Sequence, residues 1–259
     1  MHIYSKQELL SIFKTQLAKE YNCRPGDFDT PHNLVTLQRN HPERRHYTEG
    51  AFFFQMATFG NGAVITSDEA MHGWLREYID QKTGHWLFEH PHLMAIEKKL
   101  EEFGKKLFQS HHMFIPPGGP GEAFIPHGGT TLKWFEGQEI HQFYGDKRFR
   151  NALCDRYRSE RPDILALAAY DGEEISAMAG CSADTPDLWQ IGIDVIETYR
   201  GQGLGAFLVG LMTREILTRG KIPFYGTSLS NIPSWRIALS CGYLPAWVEI
   251  ATIEEKKEA

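Results

Sequence analysis

Within "YRGQGLGAFL", residues 199–208, Gly201, Gly203 and Gly205 alternate with Gln202 and Leu204 directly after Arg200. Glycine weakens strands and helices alike, so three at one junction need a reason. A Gly-rich turn between a strand and a helix leaves backbone N–H groups free at the helix N-terminus, where the helix dipole adds partial positive charge. Such a turn can cradle an anion, typically a phosphate, if side chains do not block close approach. A tight turn with no ligand would use the same residues, so the loop alone does not decide. No Lys-Ser/Thr follows, which excludes a P-loop. Read as G-x-G-x-x-G from Gly201, the third glycine becomes Ala206, and the next strand offers no acid for a ribose.

Asp194 is the second group that could do chemistry. It sits inside the otherwise apolar run "WQIGIDV", and burying a carboxylate is costly. It is a candidate general base; the competing role is a structural carboxylate bonded to backbone amides or to Arg200. Glu197 reads as a solvated loop residue. His90/His92, His111/His112 and His127 show no H-E-x-x-H spacing, so no metal is expected. Cys23, Cys154, Cys181 and Cys241 lie far apart and form no C-x-x-C pair. Reduced thiols in a cytoplasmic protein are the expectation. Cys181 and Ser182 have no deducible His or Asp partner for nucleophilic catalysis.

These groups need elements to position them. "DILALAAYDGEEISAMAGCSA" predicts a hairpin turning at Asp171-Gly172, and "DLWQIGIDVI" a third strand. "GLGAFLVGLMTREILTRG" predicts a helix with Leu204, Phe207, Leu208, Leu211, Met212 and Ile216 on one face, stopped by Gly220. "IPFYGTSL" predicts a fourth strand, and "NIPSWRIALSCGY" a short helix ending at Gly242. "GQEIHQFYGDKRFRNALCDRY" reads as one or two helices, and the aromatics Trp134, Phe135, Phe143 and Tyr144 fall on that first helical region.

The chain has 259 residues, 42% hydrophobic and 23% charged, within the range of globular proteins. A net charge of −6 argues against a nucleic-acid partner, and no apolar run reaches the ~20 residues of a membrane span. "IPPGGPGEAFIPHGGTT", residues 115–131, reads as a linker, dividing the chain into domains 1–120 and 121–259. The first half predicts a helix at its start and two strands around Gly60-Asn61-Gly62. It also predicts a helix capped by Thr66 and Glu69 and another opened by Pro91. It is a small α/β module carrying no chemistry the sequence can name.

"RGQGLG" resembles the R/Q-x-x-G-x-G/A pyrophosphate loop of the GNAT acyl-CoA-dependent N-acetyltransferases, with Arg200, Gly203 and Gly205 in the motif positions. The flanking elements agree in order over roughly 130–250. The text from "RPDILALAAYDG" to "NIPSWRIALSCGYLPAW" is similar to a bacterial branch with an extra N-terminal domain. The resemblance implies an α/β fold with a mixed, V-shaped sheet flanked by helices, in which strand 191–195 splays from strand 224–228. It implies acetyl-CoA as co-substrate. Backbone groups near Ile193 and Val195 would pair with its pantetheine arm, and those of Gly201, Gln202, Gly203, Leu204, Gly205 and Ala206 would hold its pyrophosphate. Arg200, Asn231 and Ser234 would add contacts; Asn231 is equally suited to capping a helix.

The implied chemistry is direct attack of a primary amine on the thioester, with Asp194 as base. Many members place a thiolate-protonating tyrosine seven residues after the helix-opening Asn. Here that residue is Ala238, which leaves Tyr225, Ser234 and Tyr243 as nearby hydroxyls, and Tyr225 as the candidate acid. The alternative is a non-catalytic acyl-CoA-binding or sensing protein. The acceptor, a small-molecule or peptide amine, is not named by the sequence; a homodimer is compatible with it.

Overall fold

The computed structural model describes residues 3–48, 50–118 and 130–253. Residues 119–129 of the expected linker, and His127 with them, lie outside the described residues.

In chain order the elements are α1 (Lys6–Glu20), β1 (Leu34–Leu37), β2 (Phe54–Thr58), β3 (Ala63–Ser67), α2 (His72–Ile79), α3 (His90–Glu101), β4 (Lys106–Leu107) and β5 (His111–Ile115). There follow β6 (Thr131–Glu136), β7 (Asp163–Asp171), β8 (Glu174–Ala183), β9 (Leu188–Val195), α4 (Leu204–Thr218), β10 (Ile222–Ser228), α5 (Ile232–Ser240) and β11 (Leu244–Ile253). The strands form one mixed sheet of order β1-β3-β2-β11-β5-β10-β9-β8-β7-β6, with β4 against β11. The pairs β1–β3 and β9–β10 are parallel.

β5 precedes the Gly/Pro-rich stretch in sequence yet lies between β10 and β11. Phe114 opposes Tyr225 and His111 opposes Ser228 on one side; Met113 opposes Trp247 and His111 opposes Glu249 on the other. Both edges of this five-residue strand are therefore paired. β2 continues the sheet beyond β11, with Met56 opposite Ile250. Sequence from both sides of position 120 thus interleaves in one sheet.

Alternation along the strands sorts the core into layers. On one face, α4 contributes Leu204, Leu208, Val209, Met212 and Ile216 to a core with Ile191, Tyr225, Phe114, Ala238 and Tyr243. On the other, α1 contributes Leu9, Phe13 and Leu17 to a core with Phe224, Met113, Ile115 and Trp247. Helix α1 begins at a capping box, with Ser5 N donating to Glu8 Oε2 (2.7 Å) and Glu8 N to Ser5 Oγ (3.2 Å). A third core joins α2 and α3 to β2 and β3.

Three local expectations change. Trp134 and Phe135 lie on strand β6, not on a helix. The segment after them forms 3₁₀ turns at Gly137–Phe143 and Lys147–Phe149, separated by Gly145 at φ +81°. A left-handed residue there interrupts any continuous helix. Thr66 is buried in β3; the turn preceding α2 is capped by Asp68, whose side chain accepts from Ala70 N (3.0 Å). Among the described residues no helix is long and apolar enough to cross a membrane.

Candidate active site

The parallel pair β9–β10 holds its register from Leu188↔Ile222 to Ile191↔Tyr225 and pairs no further. Beyond that point residues 192–195 stay bonded to β8, and residues 226–228 turn their bonds to β5. The sheet splits there, as the V-shape requires. The facing edge of β9 keeps backbone groups that an extended chain could pair with. Ile193 and Val195 lie along it and pack toward the α4 core.

The Gly-rich turn stands at the mouth of the split. Gly201 and Gly203 both have φ +79°, the left-handed region that disfavours any other residue. Gly203 is the N-cap of α4, so the first N–H groups of the helix face outward there. A Cβ on Gly201 would meet nothing within 4 Å, which leaves room for a ligand. Gly205 has a different reason: a Cβ there would come within 2.7 Å of Ile237 Cδ1 and 3.4 Å of Val195 Cγ2. It lets α5 and β9 approach α4, and ligand clearance is not what it supplies. Arg200 donates from Nε to Val195 O (3.1 Å) and reaches the same cleft.

Asn231 caps α5, its Oδ1 accepting from Ser234 N at 3.2 Å, and borders the cleft beside Ser234. The Tyr225 hydroxyl lies 2.6 Å from Ser234 Oγ. Burial pushes its pKa to about 12, against the lowering hydrogen bond of Ser234, so it stays protonated at neutral pH. Ala238 is fully buried in the α4-side core. Tyr243 is buried beside it with its hydroxyl 2.8 Å from Thr213 Oγ1, which takes it away from the cleft.

Asp194 projects to the opposite face. Its Oδ2 accepts from Asn151 N (2.7 Å) and Ala152 N (2.9 Å), and its Oδ1 from Asn151 Nδ2 (2.5 Å). Both oxygens hold the loop at 151–152. Gly192 allows that loop to close in, since a Cβ there would stand 1.8 Å from Asn151 O.

On the same face the first half of the chain brings Arg45, Tyr47 and His111 to residues of the second half. Arg45 is buried between Glu20 (Nη2–Oε2, 2.9 Å) and Glu249 (Nη2–Oε2, 2.8 Å). Burial alone would raise the Glu249 carboxyl, but the charge and hydrogen bonds of Arg45, with that of Trp247, hold it below the usual carboxylate range. Tyr47 Oη donates to Gln190 Oε1 (3.2 Å), as does Arg161 Nη2 (3.0 Å). With Oε1 so occupied, the Gln190 amide turns its NH₂ toward the split, 3.0 Å from where a Cβ on Gly226 would stand. These groups border one cleft of about 1340 Å³ that also takes in Gly201, Ala206 and Asn231. It is lined from both faces of the sheet and therefore passes through the split. Sequence reasoning missed Arg45, Tyr47, His111 and Glu249 as site residues. No sequence signal marks Arg45, whose burial between two carboxylates is set by the fold.

The split parallel pair, with left-handed glycines and a helix N-terminus at its mouth, lies in a mixed α/β sheet. Residues 130–243 match the model of the Acetyltransferase (GNAT) family. The match takes in β6 to α5, so this part of the chain is a GNAT-like domain.

Similar solved structures include a putative acetyltransferase from the GNAT family of Novosphingobium aromaticivorans. It has 19% identity, covers 57% of this chain and 66% of that one, and gives a TM-score of 0.43. A GCN5-related N-acetyltransferase-like protein from Streptococcus suis has 15% identity and covers 63% and 69%, with a TM-score of 0.44. A putative acetyltransferase, yncA, from Salmonella typhimurium, solved with its cofactor acetyl-CoA, has 13% identity and covers 51% and 97%, with a TM-score of 0.36. The chain spans about two thirds of the length of the first two. No curated protein matches the sequence. Among the described residues no group of three or more His, Cys, Asp or Glu could hold a metal ion.

Proposed function

We propose that this protein transfers an acetyl group from acetyl-CoA to a primary amine by direct attack. The observation that carries the reading is the single cleft that passes through the β9–β10 split, with the Gly201–Gly203 cradle at one end and a polar chamber at the other. Residues 201–206 would hold the pyrophosphate with backbone N–H groups, aided by Arg200. Ile193 and Val195 would pair with the pantetheine arm, and Asn231 and Ser234 would border it. A thioester reaching the split would present its carbonyl to the chamber where Gln190 offers an N–H donor. The amine would attack from that chamber, forming a carbon–nitrogen bond, after which the carbon–sulfur bond would break. Tyr225, protonated and close to the end of the paired register, is the group proposed to protonate the leaving thiolate. Asp194, the proton acceptor suggested by the sequence, has both oxygens engaged by the loop at 151–152. The expected compartment is the cytoplasm.

A second reading, an acyl-CoA-binding protein without turnover, draws support from Ala238 alone. Release of coenzyme A from acetyl-CoA in the presence of a panel of amines separates the two. Amine-dependent release supports transfer, and tight acetyl-CoA binding with no release for any amine supports the second reading.

A further inference from the structure

The acceptor chamber is where the two halves of the chain meet, and one titratable group there has no structural duty comparable to that of Asp194. His111 opens β5 and lies between Ser228 of β10 and Glu249 of β11. Met113 packs in the α1-side core, so His111, two residues earlier on the strand, faces the same side. That is also the side of Gly226, Gln190 and Asp194, opposite the α4 helix. His111 borders the cleft, three positions along β10 beyond the Tyr225↔Ile191 pair where the sheet divides.

We propose that His111, supplied by the first half of the chain, is the base that accepts the proton of the acceptor ammonium. The proposal rests on the transferase reading above. In the tautomer with hydrogen on Nδ1, the Nε2 lone pair accepts from the Gln109 side-chain amide at 3.3 Å. An acceptor ammonium replaces that weak donor and passes a proton to Nε2. The freed amine attacks the thioester carbonyl carbon. As the tetrahedral adduct collapses, the carbon–sulfur bond breaks, nitrogen loses a second proton, and one proton ends on sulfur. The imidazolium then returns its proton to solvent.

Asp194 is less suited to this step, since three donors already hold its oxygens. Burial lowers the His111 pKa below its ordinary value, opposed by the charge of Glu249, so the ring is neutral and receptive at neutral pH. Glu249 lies opposite His111 on β11 and is paired with Arg45, which also binds Glu20; the other charged and titratable groups that border the same cleft include Tyr47, Arg150, Arg161 and Asp194. Arg45 pairs with Glu249 at 2.8 Å, and the Glu249 charge still raises the imidazole pKa, but by less than burial lowers it.

The test uses the full chain, acetyl-CoA and whichever amine in the panel gives the fastest release. For the wild type, kcat should rise with pH through one inflection below about pH 6.5, the ordinary histidine value. His111→Gln keeps a hydrogen-bonding side chain without a usable base. It should lower kcat at pH 7 by roughly 10²-fold or more, erase that inflection, and leave acetyl-CoA affinity and melting temperature near wild type. An active wild type whose inflection survives in His111→Gln overturns the proposal. So does an inflection lost in Asp194→Asn and kept in His111→Gln. A wild-type profile with no inflection anywhere below about pH 6.5 overturns it even if the variant cannot be purified. A protein that binds acetyl-CoA but releases no coenzyme A to any amine overturns the transferase reading itself, and this proposal with it.

Discussion

The hydroxyl of Tyr225 lies 2.6 Å from that of Ser234, tying β10 to the first turn of α5 where the sheet splits. The same Ser234 gives its backbone N–H to the capping side chain of Asn231. One strand residue, one helix residue and one cap thus form a chain of contacts along the wall of the cleft.

That chain sets the outcome of Tyr225→Phe. The variant loses one hydrogen bond, worth about 1 kcal/mol of stability. If Tyr225 protonates the leaving thiolate, turnover falls, but by less than the 10²–10⁴-fold of a well-placed acid, because water can protonate a thiolate of moderate basicity. A hydroxyl with a pKa of about 12 stays an acid through neutral pH, so the ratio of variant to wild-type rates should be flat from pH 6 to 9. Steady-state rates across that range check this. A loss of several orders of magnitude at unchanged acetyl-CoA affinity would make Tyr225 indispensable.

Gly203 and Gly205 should fail in different ways. Gly203→Glu places a side chain at φ +79° and a negative charge where the anion is expected, so calorimetry should detect no acetyl-CoA binding. Unchanged affinity would mean that the loop is only a turn. Gly205→Ala should instead lower the melting temperature by crowding Ile237, at about 1–3 kcal/mol, and Ile237→Val in the same chain should recover part of it.

Arg45→Met removes the partner of two buried carboxylates and should cost about 3–5 kcal/mol in denaturant unfolding at pH 7. The Glu249 carboxyl is held below its usual range when folded, so its contribution is present above the unfolded value near 4.3. That contribution is lost as pH falls through the lower, folded value. In Arg45→Met burial without a partner raises the Glu249 carboxyl, so the gap between variant and wild type should narrow as pH falls from about 7 toward the low folded value of the wild type. A gap that widens toward acid would contradict this account.

Residues 121–259 expressed alone should not fold as a unit. Without β5, the facing edges of β10 and β11 lose their partner, and Phe114 and Met113 leave the two cores. Circular dichroism and amide proton dispersion of that fragment, with and without a co-expressed 1–120 fragment, measure this. A well-dispersed spectrum from 121–259 alone would show that β5 is dispensable.

The strand–glycine–helix order from Leu188 to Thr218 was legible because its causes are local. Alternation marks β9, left-handed glycines mark the turn, and a 3.6-residue apolar period marks α4. Asn231 as a cap was legible for the same reason. Other features have no local cause. Arg45 and Glu249 are 204 positions apart, and nothing in the spacing of either announces their contact. No strand was expected at His111–Ile115, and the place of β5 between β10 and β11 depends on which free edges the rest of the sheet leaves open. Its neighbour pairs then decide that His111 faces the chamber. Sequence alone thus determined the strand–glycine–helix turn and the family likeness, which rest on backbone geometry written into adjacent residues. The chamber on the other side of the split was decided by tertiary structure, because strand order and buried ion pairs are set by the free energy of the whole chain.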